Sequence, residues 1–460
     1  MKMKNRKKKK LPIGISDFKE IIENNYYYFD KTKFIENILE DGSKVKLFTR
    51  PRRFGKTLNI SMLKYFFDIK NKNENKKLFE NLEISKSEYF EKQGNFFVIS
   101  ISFKNYDAEN WESGFNTIKN EIKLLYNEFY LIRDNLNQSD LADFDAIWLK
   151  KDNADWINSL FNLTRYLYEL SGKKVVVLID EYDQPIIDSY IKGNYEKCIA
   201  FFKAFYGKVL KDNNYLEMGI LTGILRVAKE NVFSGLNNLE VHTILDDEFT
   251  EYFGIMENEV EKSLEDFDLK YELNDVQKWY NGYLFGEKKV YNPWSIINFL
   301  KKGKLRPYWV NTSGNGLIQL YLEKLKNEIF DVCYCSPLMR ARRTAEIATD
   351  GRIEIVIDDN LKERGFGELE GTDSANWEID GFSRVLNTNE FGIEPVRDVL
   401  ARAKKFLERV KAENSDEAKI LVVGHGTLLK MLHYNIVGYN DETDFRKFYM
   451  ENGEIVEYEV

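Results

Sequence analysis

This chain has few of the residues that build disulfide scaffolds or histidine-dependent sites. Its 460 residues include three cysteines and three histidines, and it has no Cys-x-x-Cys pair. An odd number of cysteines with this spacing argues against a disulfide scaffold and against a cysteine zinc site. We therefore expect a reducing, cytoplasmic setting. With only three histidines, few pairs of them are available for a mechanism that needs two.

Long apolar runs are also lacking. No stretch approaches the roughly 20 apolar residues that a membrane-spanning helix needs, so we expect no membrane partner. The first ten residues are basic, but no apolar stretch follows them, which argues against a secretory signal. Hydrophobic residues make up 43% of the chain and charged residues 31%. These fractions are typical of a globular protein, and the length fits two or three domains.

Charge is distributed unevenly along the chain. The formal net charge is −8, and residues 1–10 carry seven positive charges, so the other 450 residues carry −8 − 7 = −15. An acidic body disfavours a broad DNA-binding surface. We interpret residues 1–10 as a basic, disordered arm. The alternative is a non-specific contact with nucleic acid, which would weaken as salt rises.

Composition changes abruptly near residue 330. Residues 1–330 contain 7 alanines and 8 arginines, whereas residues 331–460 contain 8 and 10. Per residue, both types are therefore about threefold more frequent in the last 130 positions. No repeat and no Pro- or Gly-rich linker marks this point. The shift predicts two segments of different origin.

A phosphate-binding loop is predicted early in the chain. Residues 45–49, Val-Lys-Leu-Phe-Thr, are typical of a strand, and residues 50–57, Arg-Pro-Arg-Arg-Phe-Gly-Lys-Thr, precede an apolar-periodic helix. Strand, tight loop, Gly-Lys-Thr and helix form the layout of a P-loop. Lys56 would then contact the β and γ phosphates and Thr57 would ligate Mg²⁺, while Gly55 lets the backbone approach the phosphate. Arg50 departs from the general P-loop pattern, which has glycine there.

A second motif lies downstream. Val175–Ile179 is the apolar run expected of a strand buried on both faces. Asp180 and Glu181 follow at its carboxyl end, where α/β sheets place ligands. Asp180 would hold Mg²⁺, and Glu181 would orient and deprotonate the attacking water. The predicted nucleotide-binding residues are Arg52, Arg53, Phe54, Gly55, Lys56, Thr57 and Asp180.

Two more strands fit the same sheet, at residues 96–103 and 218–222. In additional-strand ATPases, a polar residue that senses the γ phosphate ends a strand between the two motif strands. Thr222 is the candidate for that role. Arg226 would add charge stabilisation in the transition state, with a surface salt bridge as the equal alternative.

Several further segments carry a family resemblance. They are residues 11–18 (LPIGISDF), 50–57 (RPRRFGKT), 180–185 (DEYDQP), 222–229 (TGILRVAK), 233–238 (FSGLNN), 279–283 (WYNGY), 291–295 (YNPWS) and 308–313 (YWVNTS). Over residues 10–328 the chain resembles the bacterial AAA-ATPase-like family, in which Arg50 in place of glycine is usual. The resemblance implies a P-loop domain at residues 11–229 and a helical, winged-helix-like region at residues 230–328. It also implies ATP and Mg²⁺ as cofactors.

The last 130 residues contain different patterns. A helix is expected from Cys335, a second with its apolar face at residues 396–410, and a buried strand at residues 420–423 before Gly-His-Gly. In this order the segments resemble the histidine phosphatase superfamily, the phosphoglycerate mutase-like proteins. The resemblance implies that Arg340 contacts phosphate, that Glu363 donates a proton and that His425 is the second pocket histidine. The remaining histidine of this segment, at position 433, matches no motif and is expected to be an ordinary helix residue.

The nucleophile of that superfamily is a histidine in an Arg-His-Gly segment, and no Arg-His-Gly occurs in this chain. Covalent phosphoryl transfer through histidine needs that group. The resemblance also starts in mid-domain, so a strand that would be central to the sheet is missing and an edge is left unpaired. We therefore expect residues 331–460 to be a truncated, inactive remnant of a phosphatase domain.

The sequence thus predicts an α/β protein. A P-loop NTPase parallel sheet has a helical extension and is followed by an incomplete histidine-phosphatase-like segment. The predicted function is a Mg²⁺-dependent ATPase that acts as a switch on an unknown protein partner or through self-association. Two alternatives remain: a phosphohydrolase at residues 331–460, and a nucleotide-dependent interaction module that does not hydrolyse ATP.

Overall fold

The computed structural model divides into two compact units, Met1–Ser313 and Gly314–Val460. It describes residues 8–106, 109–224, 238–280, 283–286, 288–306, 328–367 and 392–440, together with 233, 308, 325, 389, 443–445, 447, 448, 450 and 455–460. Among these residues, no helix combines the length and apolar character that crossing a membrane requires.

Strands of the N-terminal unit form two sheets. They are β1 Val45–Thr49, β2 Phe97–Ser102, β3 Val175–Asp180, β4 Leu216–Gly223, β5 Leu239–His242, β6 Ile255–Met256, β7 Tyr283–Phe285 and β8 Lys288–Tyr291. The first five pair in parallel in the order β2-β3-β4-β1-β5. The last three form a small antiparallel sheet in the order β6-β8-β7.

Helices of this unit surround the parallel sheet or pack beside the small one. They are α1 Phe18–Glu23, α2 Lys33–Glu40, α3 Lys56–Phe67, α4 Lys72–Lys77, α5 Trp111–Glu128, α6 Gln138–Trp148, α7 Ser159–Ser171, α8 Gln184–Ile191, α9 Tyr195–Leu210, α10 Glu257–Asp266, α11 Leu273–Tyr280 and α12 Pro293–Lys302. Short 3-10 turns lie at Glu83–Lys86, Glu88–Lys92, Tyr130–Asn135 and Thr250–Tyr252.

Side-chain alternation along the strands builds a core on each face of the parallel sheet. In β3, Val175 and Val177 join the cluster formed with α5, α7 and α9. Val176 and Leu178 join the cluster formed with α1, α2 and α3. Successive strand residues point to opposite faces, and here both faces are covered, so every residue of β3 is buried. This explains the continuous apolar run.

The C-terminal unit has its own sheet and helices. They are β9 Val332–Cys335, β10 Ile355–Ile357 and β11 Ile420–Val423, with α13 Met339–Thr349, α14 Val396–Glu413, α15 Gly426–Val437 and a 3-10 turn at Asp359–Leu361. The strands are parallel in the order β10-β9-β11. Tyr334 faces the core with α14 and α15, whereas Cys333 and Cys335 face α13.

Most predicted elements have close counterparts, with one error. A helix was expected to open at Cys335, but that residue ends β9 and helix α13 begins at Met339. Pro337 lies between them, and proline restricts the preceding residue to extended backbone. The region predicted at residues 230–328 contains α10, α11, α12 and the small sheet. The winged-helix-like description of it stays a prediction.

Candidate functional site

The loop after β1 changes direction through left-handed backbone. Gly55 precedes α3 with φ of 84°, and Arg53 has φ of 71°. Glycine adopts this conformation at little cost, whereas other residues need surrounding structure to hold them in it. The carbonyl of Gly55 accepts a hydrogen bond from Asn59 N at 2.9 Å. The loop therefore delivers the chain directly into the first turn of α3.

Lys56 is the first residue of that helix, and its side chain is buried. Its Nζ donates hydrogen bonds to the carbonyl oxygens of Arg50 at 3.0 Å and Pro51 at 3.2 Å. It also lies 3.5 Å from Glu181 Oε1. The ammonium is thus held inside the loop and balanced by one carboxylate.

Asp180, at the end of β3, is the centre of the polar cluster and is 1% exposed. Its Oδ2 accepts a hydrogen bond from Thr57 Oγ1 at 2.8 Å, and its Oδ1 accepts one from Thr222 Oγ1 at 2.6 Å. Ser102 Oγ, at the end of β2, lies 3.3 Å from Oδ2. Strand β4 lies between β1 and β3. This order brings the ends of three strands and the start of α3 to one carboxylate.

Glu181 is held in an uncommon backbone conformation, with φ of 53°. Its Oε2 is buried and has no hydrogen-bond partner in the described part of the chain. A buried carboxylate oxygen without a donor is costly. Strained backbone together with an unsatisfied polar atom is typical of functional sites.

Residues 52–54 contact other parts of the unit. Arg52 Nη2 lies 3.5 Å from Gln184 Oε1. The Arg53 guanidinium lies 4.6 Å from the centre of the Trp294 ring. Phe54 is buried and packs with Phe285. The contacts of Arg53 and Phe54 therefore join the loop to α12 and to the small sheet.

In the sequence, Arg50 stands out only because it replaces a glycine of the P-loop pattern. The structure shows that its side chain is buried. Its Nη1 donates hydrogen bonds to the carbonyl oxygens of Thr49 at 2.9 Å and His242 at 2.8 Å. The guanidinium lies 5.0 Å from the centre of the Phe253 ring. Burial lowers the pKa of Arg50 to about 10. The only sequence signal for this role is an arginine that directly follows an apolar strand, at the start of the loop.

Two predicted residues cannot be placed in a site. Arg226 lies outside the described residues. Arg340 lies in the first turn of α13, but its side chain is outside the described part of the structure. The structure therefore brings together Lys56, Thr57 and Asp180 with Glu181 and Thr222, and it gives no contact for either arginine.

In the C-terminal unit, His425 immediately precedes α15 and is buried. Its Nε2 lies 2.9 Å from Ser336 Oγ, at the end of β9. Glu363 Oε1 accepts a hydrogen bond from Arg364 N at 2.9 Å. Sequence reasoning missed Ser336, although a hydroxyl just after a strand in a phosphatase-like segment is a usable signal.

The other two histidines have separate surroundings. His433 stacks on Phe448, and its Nδ1 lies 2.7 Å from Tyr458 Oη. His242, the last residue of β5, is buried and stacks on Phe48 with 5.1 Å between the ring centres. Burial lowers the pKa of both imidazoles.

Two family models match this chain. One, described as predicted AAA-ATPase, covers residues 12–233, and the other, histidine phosphatase superfamily branch 1, covers residues 311–460. An uncharacterized protein in the vnfD 5′ region of Azotobacter chroococcum mcd 1 is 29% identical over 351 residues, 75% of this chain and 62% of that protein.

Other relatives match a smaller share of the chain. A 2,3-bisphosphoglycerate-dependent phosphoglycerate mutase of Methylobacterium sp. (strain 4-46) is 29% identical over 132 residues, 26% of this chain and 64% of that enzyme. The chain thus spans less than two thirds of the length of both relatives. The alpha-ribazole phosphatase from Shigella flexneri is 24% identical, with a TM-score of 0.26, over 31% of this chain and 74% of that one. From the two family models, this chain joins an AAA-ATPase-like domain to a domain of the histidine phosphatase superfamily.

Proposed function

We propose that the N-terminal unit binds ATP with Mg²⁺ at the P-loop and hydrolyses it. The observation that carries the proposal is the polar cluster around Asp180, whose two carboxylate oxygens accept hydrogen bonds from Thr57 and Thr222. A buried carboxylate and a hydroxyl at the start of a helix are the oxygen ligands that Mg²⁺ prefers. The donor set therefore fits this ion.

A P-loop fold is supported by the strand order. Strand β4 separates the strand before the loop from the strand that ends in Asp180. Residues at the carboxyl ends of parallel strands face the same crevice, which is where α/β sheets bind ligands. The start of α3 adds backbone N–H groups and the positive end of a helix dipole, which favour an anion.

Each residue of the cluster has a distinct part in this proposal. Mg²⁺, when bound, would neutralise charge on the phosphates, with Thr57 and Asp180 as its protein contacts. Lys56 would exchange its contacts with loop carbonyls and Glu181 for phosphate oxygens. The unpartnered Oε2 of Glu181 would accept a proton from the attacking water. Thr222 would orient Asp180, and Arg226 would add positive charge.

ATP binding is tested with Lys56→Ala. The variant removes a charge-assisted contact to phosphate, so affinity for a fluorescent ATP analogue should fall by about 10- to 100-fold. Lys64→Ala is the matched control, because Lys64 lies two turns along the same helix and pairs with Glu128 at 3.3 Å. Equal affinity of Lys56→Ala and wild type would show that the site is assigned wrongly.

Hydrolysis is tested separately with Glu181→Gln, which keeps the shape of the side chain but removes the base. Turnover should fall by about 10²- to 10⁴-fold while ATP still binds. A wild type that binds ATP without measurable turnover would instead support the non-hydrolysing interaction module. We propose that the unit acts as a switch on an unknown protein partner or through self-association, in a cytoplasmic setting.

We further propose that the C-terminal unit is not an active phosphatase, although its relatives include a phosphoglycerate mutase. The chain has no Arg-His-Gly, and the nucleophile of a covalent phosphohistidine mechanism is therefore lacking. We expect no hydrolysis of p-nitrophenyl phosphate above that of a His425→Ala variant. Activity that is lost in His425→Ala would overturn this proposal and support the phosphohydrolase alternative.

A further inference from the structure

Four side chains that could bind a metal ion meet beside the edge strand β5, in a group we call the edge cluster. Its members are Asp41, Glu240, His242 and Glu248. One ligand atom from each lies within 4.8 Å of the others. Asp41 follows α2, Glu240 and His242 belong to β5, and Glu248 follows that strand, so three separate segments converge.

A second observation, independent of the carboxylates, comes from the histidine. The side chain of His242 is 3% exposed, and its Nδ1 lies 3.8 Å from Glu248 Oε2, which is too long for a hydrogen bond. Its Nε2 is buried and has no partner among the described residues. Buried imidazole nitrogens normally have hydrogen-bond partners. The His242 ring is therefore buried without a hydrogen bond in the described part of the chain, and its Nδ1 faces the carboxylate of Glu248, which points to a ligand at that nitrogen.

Charge at the cluster is compatible with a divalent cation. Lys46 Nζ lies 3.2 Å from Asp41 Oδ1 and neutralises one of the three carboxylates. Two glutamates remain, each with an exposed side chain that can rotate. Ligand atoms around tetrahedral Zn²⁺ are about 3.4 Å apart, so movement of these two side chains would close the group around an ion. Asp41, already paired, is the weakest ligand.

We propose that the edge cluster binds one divalent transition-metal ion of the Zn²⁺ or Mn²⁺ class. Imidazole nitrogen combined with carboxylate oxygens is a donor set that these ions accept. The carbonyl of His242 accepts the hydrogen bond from Arg50, the first residue of the phosphate loop. A bound ion would therefore fix the end of β5 against β1 and, through Arg50, stabilise that loop.

The test uses the full chain with Zn²⁺ alone, without nucleotide or Mg²⁺, measured by calorimetry and by metal analysis after dialysis. The cluster variant is Glu240→Gln with Glu248→Gln, whose side chains are exposed and keep their size. The matched control is Glu36→Gln with Glu40→Gln, which makes the same change in charge on neighbouring α2. Wild type and control should bind one equivalent more than the cluster variant, and Zn²⁺ should raise their Tm.

Loss of two ligands should weaken any remaining binding at this position by at least about tenfold. Equal stoichiometry and affinity in wild type and the cluster variant would overturn the proposal, since the ion would then be bound elsewhere. Failure of wild type to bind Zn²⁺ at about 100 µM would also overturn it. Lys56→Ala should bind Zn²⁺ as wild type does, which separates this result from the ATP site.

Discussion

The two parallel sheets of this protein bury their strands to different extents. In the N-terminal unit, all six residues of β3 are buried, and the carboxylate at its end accepts hydrogen bonds from two threonines. In the C-terminal unit, three of the four residues of β11 are only partly buried. The imidazole of His425, two residues after that strand, lies 2.9 Å from Ser336 Oγ.

Strand neighbours explain the difference. Strand β3 pairs with β2 on one side and β4 on the other, whereas among the described residues β11 pairs only with β9. A strand with two partners and two covered faces holds the side chains at its end in fixed positions, which functional sites require. Similar local motifs, an apolar strand followed by polar residues, therefore become different sites according to the strands beside them.

The largest expected effect comes from shortening one apolar side chain in a strand of each sheet. Leu178→Ala in β3 removes a fully buried side chain and should cost about 4 kcal/mol of the free energy of unfolding. Ile420→Ala in β11, which is partly buried, should cost about 1 kcal/mol. Hydrogen exchange of peptides from each unit measures both values. Equal losses would contradict the difference in burial.

The two units should also differ in how their stability depends on pH. Burial raises the pKa of Asp68 in the N-terminal unit from its ordinary value of 3.8 to about 6. The folded state therefore binds this proton more tightly than the unfolded state, and stability falls as pH rises from about 4 to 6. Asn cannot ionise, so the Asp68→Asn variant should lose about 3 kcal/mol less of its free energy of unfolding than wild type over this pH range. Denaturation at pH 4 and pH 7 measures the difference.

The opposite trend is expected in the C-terminal unit. Burial lowers the pKa of His433, so the unfolded state binds that proton more tightly and stability increases as pH rises through the ordinary histidine value. His433→Gln should flatten this increase in the hydrogen exchange of C-terminal peptides. The same pH trend in both units, unchanged by either substitution, would argue against these assignments.

Nucleotide should stabilise one unit only. At an ATP concentration of about 100 Kd with Mg²⁺, the N-terminal unit should gain about 2.7 kcal/mol because the folded state alone binds the ligand. Hydrogen exchange of residues 396–440 should not change. Because its affinity is expected to be 10- to 100-fold weaker, Lys56→Ala should reduce the gain at the same concentration to about 0.4–1.4 kcal/mol. Protection of C-terminal peptides by ATP would show that the site is elsewhere.

The smallest expected effect compares two hydroxyl groups. Thr222→Val removes a hydrogen bond to the charged, buried Asp180 and should cost about 2 kcal/mol. Ser336→Ala removes the contact of a hydroxyl with the His425 imidazole and should cost about 1 kcal/mol. Urea denaturation with hydrogen exchange distinguishes them. A larger loss of stability for Ser336→Ala than for Thr222→Val would mean that the contact between Ser336 and His425 contributes more than the hydrogen bond between Thr222 and Asp180.

Local sequence patterns predicted much of the fold. The strand at Val45–Thr49 has the predicted bounds, and the strand predicted from Val175 extends one residue further, to Asp180. Apolar periodicity also indicated α3 and α14, because each buries one face. The predicted start of α13 is wrong because Pro337 disfavours helical backbone at the residue before it, and the helix begins only at Met339. Strand β9, whose four residues include two cysteines, has no clear alternating pattern.

Contacts between distant residues were harder to predict. The P-loop pattern identifies Arg50 only as a departure from glycine, because its burial against the carbonyl of His242 depends on the pairing of β5 with β1. The edge cluster likewise joins residues around position 41 to residues 240–248. No spacing in the chain indicates such a group, because its members belong to separate elements.

The sequence by itself determined which groups are available: a Gly-Lys-Thr after one strand, Asp180 and Glu181 after another, and no Arg-His-Gly anywhere. Only the tertiary structure decided that Thr57 and Thr222, 123 and 42 residues away from Asp180, donate to its two oxygens. The physical reason is that side-chain periodicity depends on neighbours along the chain. Strand order instead depends on how whole elements bury their apolar faces together.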